Sequence, residues 1–303
     1  MRPTAFRDMG SLSQLLFTFF IILGSTIVIS VVGMLAAIPF FGMEAVLNGS
    51  AMSDPGNPAM VALLKYLQIL QSFGLFIIPP FIAAYIFSSN SKEYLKLSTI
   101  PKWQSVVLAF GVIWVANPII NYVGELNAAM QLPESLQGIE NWMRQKEDLA
   151  AEVTKTLLEV ETIPALLFNV FLIGVLPGVG EELLFRGVIQ RIFHRMTRNK
   201  HIAIWVTAFV FSALHFQFYG FLPRLLLGAL FGYLLVWSNC LWLPMLAHFF
   251  NNSLATVIFY LNHNGFINLD FEKVGSDSMP MVIGSLVLTT IVLRLIYRIE
   301  HRE

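Results

Sequence analysis

Two adjacent carboxylates and an arginine lie within an apolar stretch of this chain, in the sequence GVGEELLFRGVIQRIFHR at 178–195. Side chains such as Glu181, Glu182 and Arg186 each cost roughly 2.5–3.5 kcal/mol at the centre of a bilayer, even on lenient insertion scales. Charges at such positions are retained where they pair with one another or take part in a function. This stretch is therefore a candidate functional site.

The residues ahead of the two acids predict a local break in a helix. Pro177, Gly178 and Gly180 precede Glu181 directly. Proline removes a helical hydrogen bond, and glycine lets another backbone approach closely. Irregular backbone inside a membrane is tolerated where it is buried in protein or lines a wet cavity. We therefore expect Glu181 to face a polar cavity.

The two acids have different predicted roles. Glu182 and Arg186 are four residues apart with the acid first, so they can pair on one face of a helix. Glu181 points about 100° away from Glu182, and its own neighbour four residues on is Phe185. Glu181 is therefore the predicted general base, whereas the Glu182–Arg186 pair is predicted to anchor the helix.

Two of the six histidines lie in apolar segments. His215 occurs in FVFSALHF, and His248 occurs in LAHFFNNSLA, where Asn252 shares its helix face four residues later. Together with a carboxylate, these groups can activate a water molecule beside a carbonyl and stabilise the oxyanion that develops. The combination indicates hydrolysis.

Two other chemistries fit parts of the pattern. Ser212 and Ser253 lie near the two histidines in sequence, although the G-x-S-x-G motif of a serine nucleophile is absent. A divalent metal such as zinc could be held by Glu181, His215 and His248, although no H-E-x-x-H motif occurs. The spacing leaves open whether a metal is required.

The composition is that of a membrane protein, with 56% hydrophobic and 13% charged residues, against about 45–50% and 25% in soluble domains. A helix needs about 20 apolar residues to cross a bilayer. Such runs occur at 14–41, 60–88, 104–124, 163–190, 202–219, 224–239, 241–261 and 280–297. We therefore predict an all-α, polytopic transmembrane helical bundle with about eight spans. The formal net charge of +0 gives no indication of nucleic acid as a partner.

Loop charges predict the orientation in the membrane. Basic residues fall at 2 and 7, at 92, 96 and 102, at 191, 195, 198 and 200, and at 298 and 302, whereas acidic residues predominate in the alternate loops at 125–162 and 262–279. The positive-inside rule then places both termini in the cytoplasm. Glu181 precedes the basic residue Arg191 by ten positions, which is about 15 Å of helix. We therefore expect the cavity to open toward the cytoplasmic leaflet.

The domain organisation is predicted to be a single integral-membrane domain over 1–303. Its one sizeable extramembrane stretch, about 125–162, has a helix-forming composition and predicts a pair of surface helices. This stretch is either a solvated connector or a cap over a substrate entrance. Gly174 with Gly178, and Gly228 with Gly232, form small-xxx-small pairs that predict close helix packing.

Three motifs occur in order along the apolar segments. They are E-E-x-x-x-R from Glu181 to Arg186, F-x-x-x-H from Phe211 to His215, and H-x-x-x-N from His248 to Asn252. Taken together, they resemble the CPBP family of intramembrane proteases, which includes the CAAX prenyl endopeptidases and the bacterial Abi proteins linked to bacteriocin self-immunity. The resemblance covers a core of about 165–260.

The resemblance implies an intramembrane endopeptidase. Glu181 and His215 would form the pair that activates water. His248 and Asn252 would stabilise the oxyanion. The expected substrate is a membrane-associated peptide or protein, and the expected location is a bacterial inner membrane, crossed several times.

The resemblance also makes Glu182 and Arg186 supporting residues. The family is known both as metalloproteases and as glutamate-dependent proteases without a bound metal, so the cofactor stays open between none and a divalent metal such as zinc. Two other functions also stay open. One is a non-catalytic membrane scaffold or bacteriocin self-immunity factor, and the other is a proton or ion transporter, against which the absence of inverted repeats argues.

Overall fold

The computed structural model describes residues 6–48 and 57–301, and all regular elements in these ranges are helical. This confirms the predicted all-α class. In chain order the α-helices are α1 (Ser11–Phe41), α2 (Met43–Asn48), α3 (Pro58–Gln71), α4 (Ile78–Phe87), α5 (Ser91–Tyr94), α6 (Trp103–Val115), α7 (Asn117–Ala128), α8 (Gln137–Leu158), α9 (Ile163–Asn169), α10 (Leu176–Glu182), α11 (Gln190–Thr197), α12 (Lys200–Ala213), α13 (Phe221–Ser238), α14 (Trp242–His263) and α15 (Met279–Glu300). The described residues leave out 1–5, 49–56 and 302–303. Part of the predicted topology depends on Arg2, Arg302 and the loop at 49–56, which therefore lie outside the described residues.

Five of the helical stretches are long and apolar enough to cross a membrane. They are Ser11–Phe41, Pro58–Phe87, Ile163–Thr197, Phe218–Ser238 and Met279–Glu300. The consecutive helices α6 and α7 form a sixth span if their 45° bend is counted within one crossing. These stretches define a multi-pass membrane protein.

Two of the eight predicted spans, 202–219 and 241–261, correspond to α12 and α14, which are not among the five candidate membrane spans. Helix α12 has 14 residues, or about 21 Å, which is shorter than the roughly 30 Å hydrocarbon core. Helix α14 has 22 residues but carries His248, Asn251 and Asn252, and it is not among the candidate spans. The number of membrane crossings therefore stays a prediction.

The helix that carries the two acids is widened rather than broken. Ile163–Thr197 is continuous over 35 residues, but it contains π-helical segments at Val170–Val175 and Leu183–Ile189. The predicted disruption before Glu181 thus takes the form of a π-helical segment that ends just before Pro177. A third such segment, Ser72–Ile77, also ends just before a proline pair. Segments of this type occur frequently at functional sites.

Helices α10 and α14 approach each other closely at the predicted small residues. A Cβ atom on Gly178 would lie 2.8 Å from the backbone nitrogen of Phe249, and one on Gly174 would collide with the hydroxyl of Ser253. A Cβ on Gly232 would lie 2.8 Å from the side chains of Gln190 and Ile204. The glycines therefore set the spacing between helices, as the small-xxx-small pairs predict.

We expect Gly178→Ala to destabilise the fold by about 1–3 kcal/mol, since the methyl group meets backbone that can move only if α10 and α14 separate. Thermal unfolding of the detergent-purified variant measures this loss. Gly111→Ala in α6 is the matched control, because a Cβ there has nothing within 4 Å. Equal unfolding temperatures for the two variants would contradict the prediction.

The stretch that we predict to lie outside the membrane, 125–162, contains one long helix rather than a pair of surface helices. A 3₁₀ turn at Glu134–Leu136 leads directly into α8. Helix α8 then continues to Leu158, because the sequence after Gly138 contains no glycine or proline that would interrupt a helix before residue 159. Helix α8 packs on the 3₁₀ turn Phe218–Gly220, where the guanidinium of Arg144 lies 4.5 Å from the ring centre of Tyr219. Glu147 accepts a hydrogen bond from the backbone N–H of Tyr219 at 3.1 Å. Helix α8 is thereby held against the bundle.

Candidate active site

Four predicted site residues line one cavity of about 450 Å³. They are Glu181 from α10, His215 from the turn after α12, and His248 and Asn252 from α14. Such a volume is within the range of about 300–1,000 Å³ that small-molecule sites occupy. The structure therefore brings together, from three separate parts of the chain, the residues that the sequence pattern selected.

A buried ion pair lies beside this cavity. Arg186 donates from Nη1 to Oε1 of Glu182 at 2.8 Å, and neither side chain is exposed to solvent. Arg186 also donates from Nη2 to the carbonyl of Gly228 at 2.9 Å. Its guanidinium lies 4.6 Å from the ring centre of Phe211 and 5.5 Å from that of Phe231. The pair thus fastens α10 to α12 and α13.

His248 is held in place by Glu182. Its Nδ1 lies 2.9 Å from Oε1 of Glu182, which can only accept when ionised, so Nδ1 carries a proton. The imidazole also stacks on the ring of Phe231, with ring centres 4.8 Å apart. These contacts fix the ring orientation and leave Nε2 free to face the cavity.

Glu181 faces Nε2 of His248, the ring nitrogen that does not contact Glu182. Its Oε2 lies 3.9 Å from Nε2 of His248, and about 12% of its side chain is exposed. This distance is too long for a direct hydrogen bond, and a water molecule could bridge the two atoms. Glu182, in contrast, is fully buried. The two acids therefore differ as the helix geometry predicts, one facing the cavity and the other pairing with Arg186.

His215 lies beyond the end of α12 and not within a span. Helix α12 ends at Ala213, and the left-handed φ of 54° at Phe216 turns the chain away. The Nδ1 of His215 lies 2.7 Å from the carbonyl of Phe211. Because a carbonyl can only accept, Nδ1 is the protonated nitrogen, and Nε2 is left with a lone pair.

Asn252 is positioned by the proline that precedes the acids. Pro177 has no N–H to donate to the carbonyl of Ile173 four residues earlier, and Nδ2 of Asn252 donates to that carbonyl at 3.1 Å. Its Oδ1 accepts from Nδ2 of Asn251 at 3.1 Å. One N–H of the Asn252 amide is left for another acceptor.

Sequence reasoning missed several residues of the cavity wall. Arg224 and Asn251 line it, as do Val153, Thr154 and Leu157 of α8. A signal existed for Arg224, because it is a charge at the edge of an apolar run, and such a residue is a functional candidate by default. Contributions from α8 could not be deduced, since they depend on how that helix folds back.

The cavity reaches the end of the bundle that carries α8, and not the basic loops. Val153 and Thr154 lie in its wall, together with Gly220 and Pro223 at the start of the Phe218–Ser238 stretch. The cavity therefore does not extend to the basic end of the bundle, where we expected it to open. Which side of the membrane each end faces stays a prediction. The ten-residue separation from Arg191 predicts how deep Glu181 lies but not where the cavity opens. The cavity continues along the residues that follow α12, such as Gly220 and Pro223.

The two serines considered as nucleophiles do not line this cavity. Ser212 donates its hydroxyl to the carbonyl of Phe221 at 2.7 Å. The hydroxyl of Ser253 is buried next to Gly174 at the contact between α10 and α14. The geometry thus gives no support to a serine nucleophile.

The residues suggested for a metal do not assemble as a ligand set. Over residues 6–48 and 57–301, no group of three His, Cys, Asp or Glu side chains has the geometry to hold a metal ion. Nδ1 of both histidines contacts a protein acceptor, which leaves a lone pair on Nε2 of each neutral ring and is also the arrangement found in metal-binding histidines. These contacts therefore do not decide whether a metal is required, and the cofactor stays open between none and a divalent metal such as zinc.

The fold and the cavity together define a helical membrane protein with a buried acid–histidine site. Residues 163–254 match the family model described as Type II CAAX prenyl endopeptidase Rce1-like. The chain is therefore similar to the Rce1-like family over these residues, and the predicted resemblance is confirmed there. The family is one of CAAX-type proteases, which supports an intramembrane protease.

The chain is also similar to the uncharacterized protein YpbD of Bacillus subtilis (strain 168). The two are 32% identical over 101 residues, which cover 32% of this chain and 47% of YpbD. The match thus spans about half the length of that relative. No solved structure matches the chain.

Proposed function

We propose that this protein is an intramembrane endopeptidase that hydrolyses a peptide bond of a membrane-associated protein or peptide. The observation that carries the proposal is the shared cavity, in which a carboxylate, two imidazoles and an amide converge from separate helices. The segment that matches the Rce1-like family model contains all four of these residues. We further propose that the protein resides in a bacterial inner membrane.

The proposed reaction begins with a water molecule that contacts both Oε2 of Glu181 and Nε2 of His248 from the cavity side, where these two atoms lie 3.9 Å apart. Glu181 removes one proton, and the lone pair on Nε2 of His215 accepts a hydrogen bond from the other hydrogen. The water oxygen attacks the carbonyl carbon of the peptide. Glu181 then gives its proton to the amine that leaves when the C–N bond breaks.

The oxyanion formed in this attack needs donors that are already in place. His248 can supply one from Nε2 when both of its nitrogens are protonated, because the carboxylate of Glu182 at Nδ1 stabilises the imidazolium. Asn252 can supply the other from the N–H that Ile173 does not use. Arg224, the one Lys or Arg side chain among the described residues that line the cavity, would favour a negatively charged group in the substrate.

The proposal is tested by labelling new termini in membrane proteins of cells that express wild-type protein or His215→Ala. This variant removes an imidazole whose one hydrogen bond to the described residues is to the carbonyl of Phe211, so we expect it to fold but to lose the cleavage products. His263→Ala, at the end of α14 and outside the cavity, should retain them. Identical products in wild type and His215→Ala would overturn the proposal and favour a scaffold or immunity factor.

A further inference from the structure

A second cavity, of about 400 Å³, lies at the opposite end of the bundle from α8 and is lined by cations. We refer to it as the basic pocket. Six side chains that are cationic or can become so line it: Lys96, Arg186, Arg191, His194, Arg195 and Lys200. Within the described residues no aspartate or glutamate lines it. Arg186 is paired with Glu182, whereas none of the other five forms an ion pair with a described acid. The positive charge of these five is therefore left for a ligand or for solvent.

Tyr94 adds a buried donor to this pocket. Its side chain is only 4% exposed, and its hydroxyl has no hydrogen-bond partner in the described residues. The guanidinium of Arg191 lies 4.3 Å from the centre of the Tyr94 ring and donates to the Tyr94 carbonyl at 2.9 Å. Burial raises the pKa of the Tyr94 hydroxyl, against the opposing effect of Arg191 and Arg195. The hydroxyl is therefore protonated at neutral pH and can donate to an anion.

Gln190 contributes an acceptor to the same pocket. Its Nε2 donates to the carbonyl of Gly232 at 3.3 Å, while its Oε1 is buried without a partner among the described residues. Buried polar atoms rarely stay unpaired. An anion that carries a hydroxyl or ammonium group would pair with both Oε1 of Gln190 and the hydroxyl of Tyr94.

Ala203, Leu235 and Val236 form an apolar part of the wall, next to Asn239. Basic pockets between membrane helices on the cytoplasmic side bind phosphate-bearing headgroups. The cations here belong to the loops that the positive-inside rule places in the cytoplasm. We propose that the basic pocket binds a phosphate-bearing anion, either free phosphate or the headgroup of an anionic phospholipid.

The test measures thermal unfolding of the full chain in a neutral detergent. Inorganic phosphate is compared with chloride at equal ionic strength, and phosphatidylglycerol with phosphatidylcholine of the same acyl chains. A ligand that binds only the folded state raises the unfolding temperature. A rise with both phosphate and phosphatidylglycerol identifies the phosphate group as sufficient, whereas a rise with phosphatidylglycerol alone identifies a lipid headgroup. No rise with either probe overturns the proposal.

Tyr94→Phe shows whether this pocket is responsible. The variant keeps the ring beneath Arg191 and removes a hydroxyl that has no hydrogen-bond partner in 6–48 and 57–301, so the ligand-free protein should unfold at the wild-type temperature. The variant loses the hydrogen bond that the Tyr94 hydroxyl would donate to the charged phosphate group. Whichever of phosphate or phosphatidylglycerol raises the unfolding temperature of the wild type should therefore bind about tenfold or more weakly.

Charge variants provide the matched control. Arg191→Gln, inside the basic pocket, should also weaken binding of that probe. Arg198→Gln removes the same charge from the neighbouring loop, where the side chain is exposed and outside the pocket, and should leave binding unchanged. Equal weakening by Arg191→Gln and Arg198→Gln, with no effect of Tyr94→Phe, would indicate non-specific attraction and refute the site. These measurements need no protease activity and are independent of the proposed function.

Discussion

Turnover by the Glu181→Gln variant should fall by about 10²–10⁴-fold, the range that general acid–base catalysis contributes. Glutamine has nearly the shape of glutamate but cannot take a proton from water. The variant should fold normally, because the Glu181 carboxylate faces the cavity and its nearest imidazole nitrogen is 3.9 Å away. The measurements are the cleavage rate of a substrate found by the terminus labelling and the unfolding temperature of the purified variant.

This result would separate a catalytic from a structural role for Glu181. Unchanged stability with lost turnover supports the role of general base. Lost turnover with an unfolding temperature far below that of wild type would instead show that Glu181 holds the fold. Full activity of the variant would remove Glu181 from the mechanism altogether.

Glu182→Gln should have the opposite effect, with a loss of about 3–5 kcal/mol in the free energy of unfolding. Glutamine retains an oxygen that can accept from Arg186 and His248, but it leaves the guanidinium of Arg186 buried without a compensating charge. The whole pair is inaccessible to solvent, so water cannot replace the lost charge. Denaturation of the purified variant in detergent measures the change.

The chain offers a matched control for this variant. Lys155 and Glu159 form an i,i+4 ion pair at 3.7 Å at the end of α8, where both side chains are exposed. Glu159→Gln should therefore change stability very little, because surface ion pairs contribute little. The double variant Glu182→Gln with Arg186→Met should recover part of the lost stability, since it removes the unpaired cation. A stable Glu182→Gln single variant would contradict the assignment.

The sequence predicted the helical class and the grouping of the site residues for physical reasons that are local. Apolar runs of about 20 residues predict helices that lie in lipid. The i,i+4 spacing of Glu182 and Arg186 brings the two side chains together on any helix close to α-helical geometry. His248 and Asn252 share a helix face for the same reason. Each of these conclusions depends on neighbours within one turn, so it could be drawn before any fold was known.

What the sequence could not supply depends on contacts between distant segments. The end of α12 before His215 follows from a turn at Phe216, whose left-handed backbone has no clear sequence signal. The contribution of Thr154 to the cavity requires α8 to fold back over the bundle. Asn252 meets Ile173 across two helices, although the proline that frees that carbonyl is visible in the sequence.

The π-helical segments of Ile163–Thr197 also affect how this chain should be aligned with its relatives. In each segment the backbone bonds reach back five residues, as from Leu176 to Phe171 and from Gln190 to Phe185, so each segment accommodates one residue more than an α-helical turn. A helical wheel drawn straight through the stretch assigns wrong faces beyond these points. Relatives that lack the additional residue should align with a one-residue gap there. A gap in Leu183–Ile189 that falls after Arg186 would rotate the acid pair relative to the basic end and leave the E-E-x-x-x-R spacing unchanged.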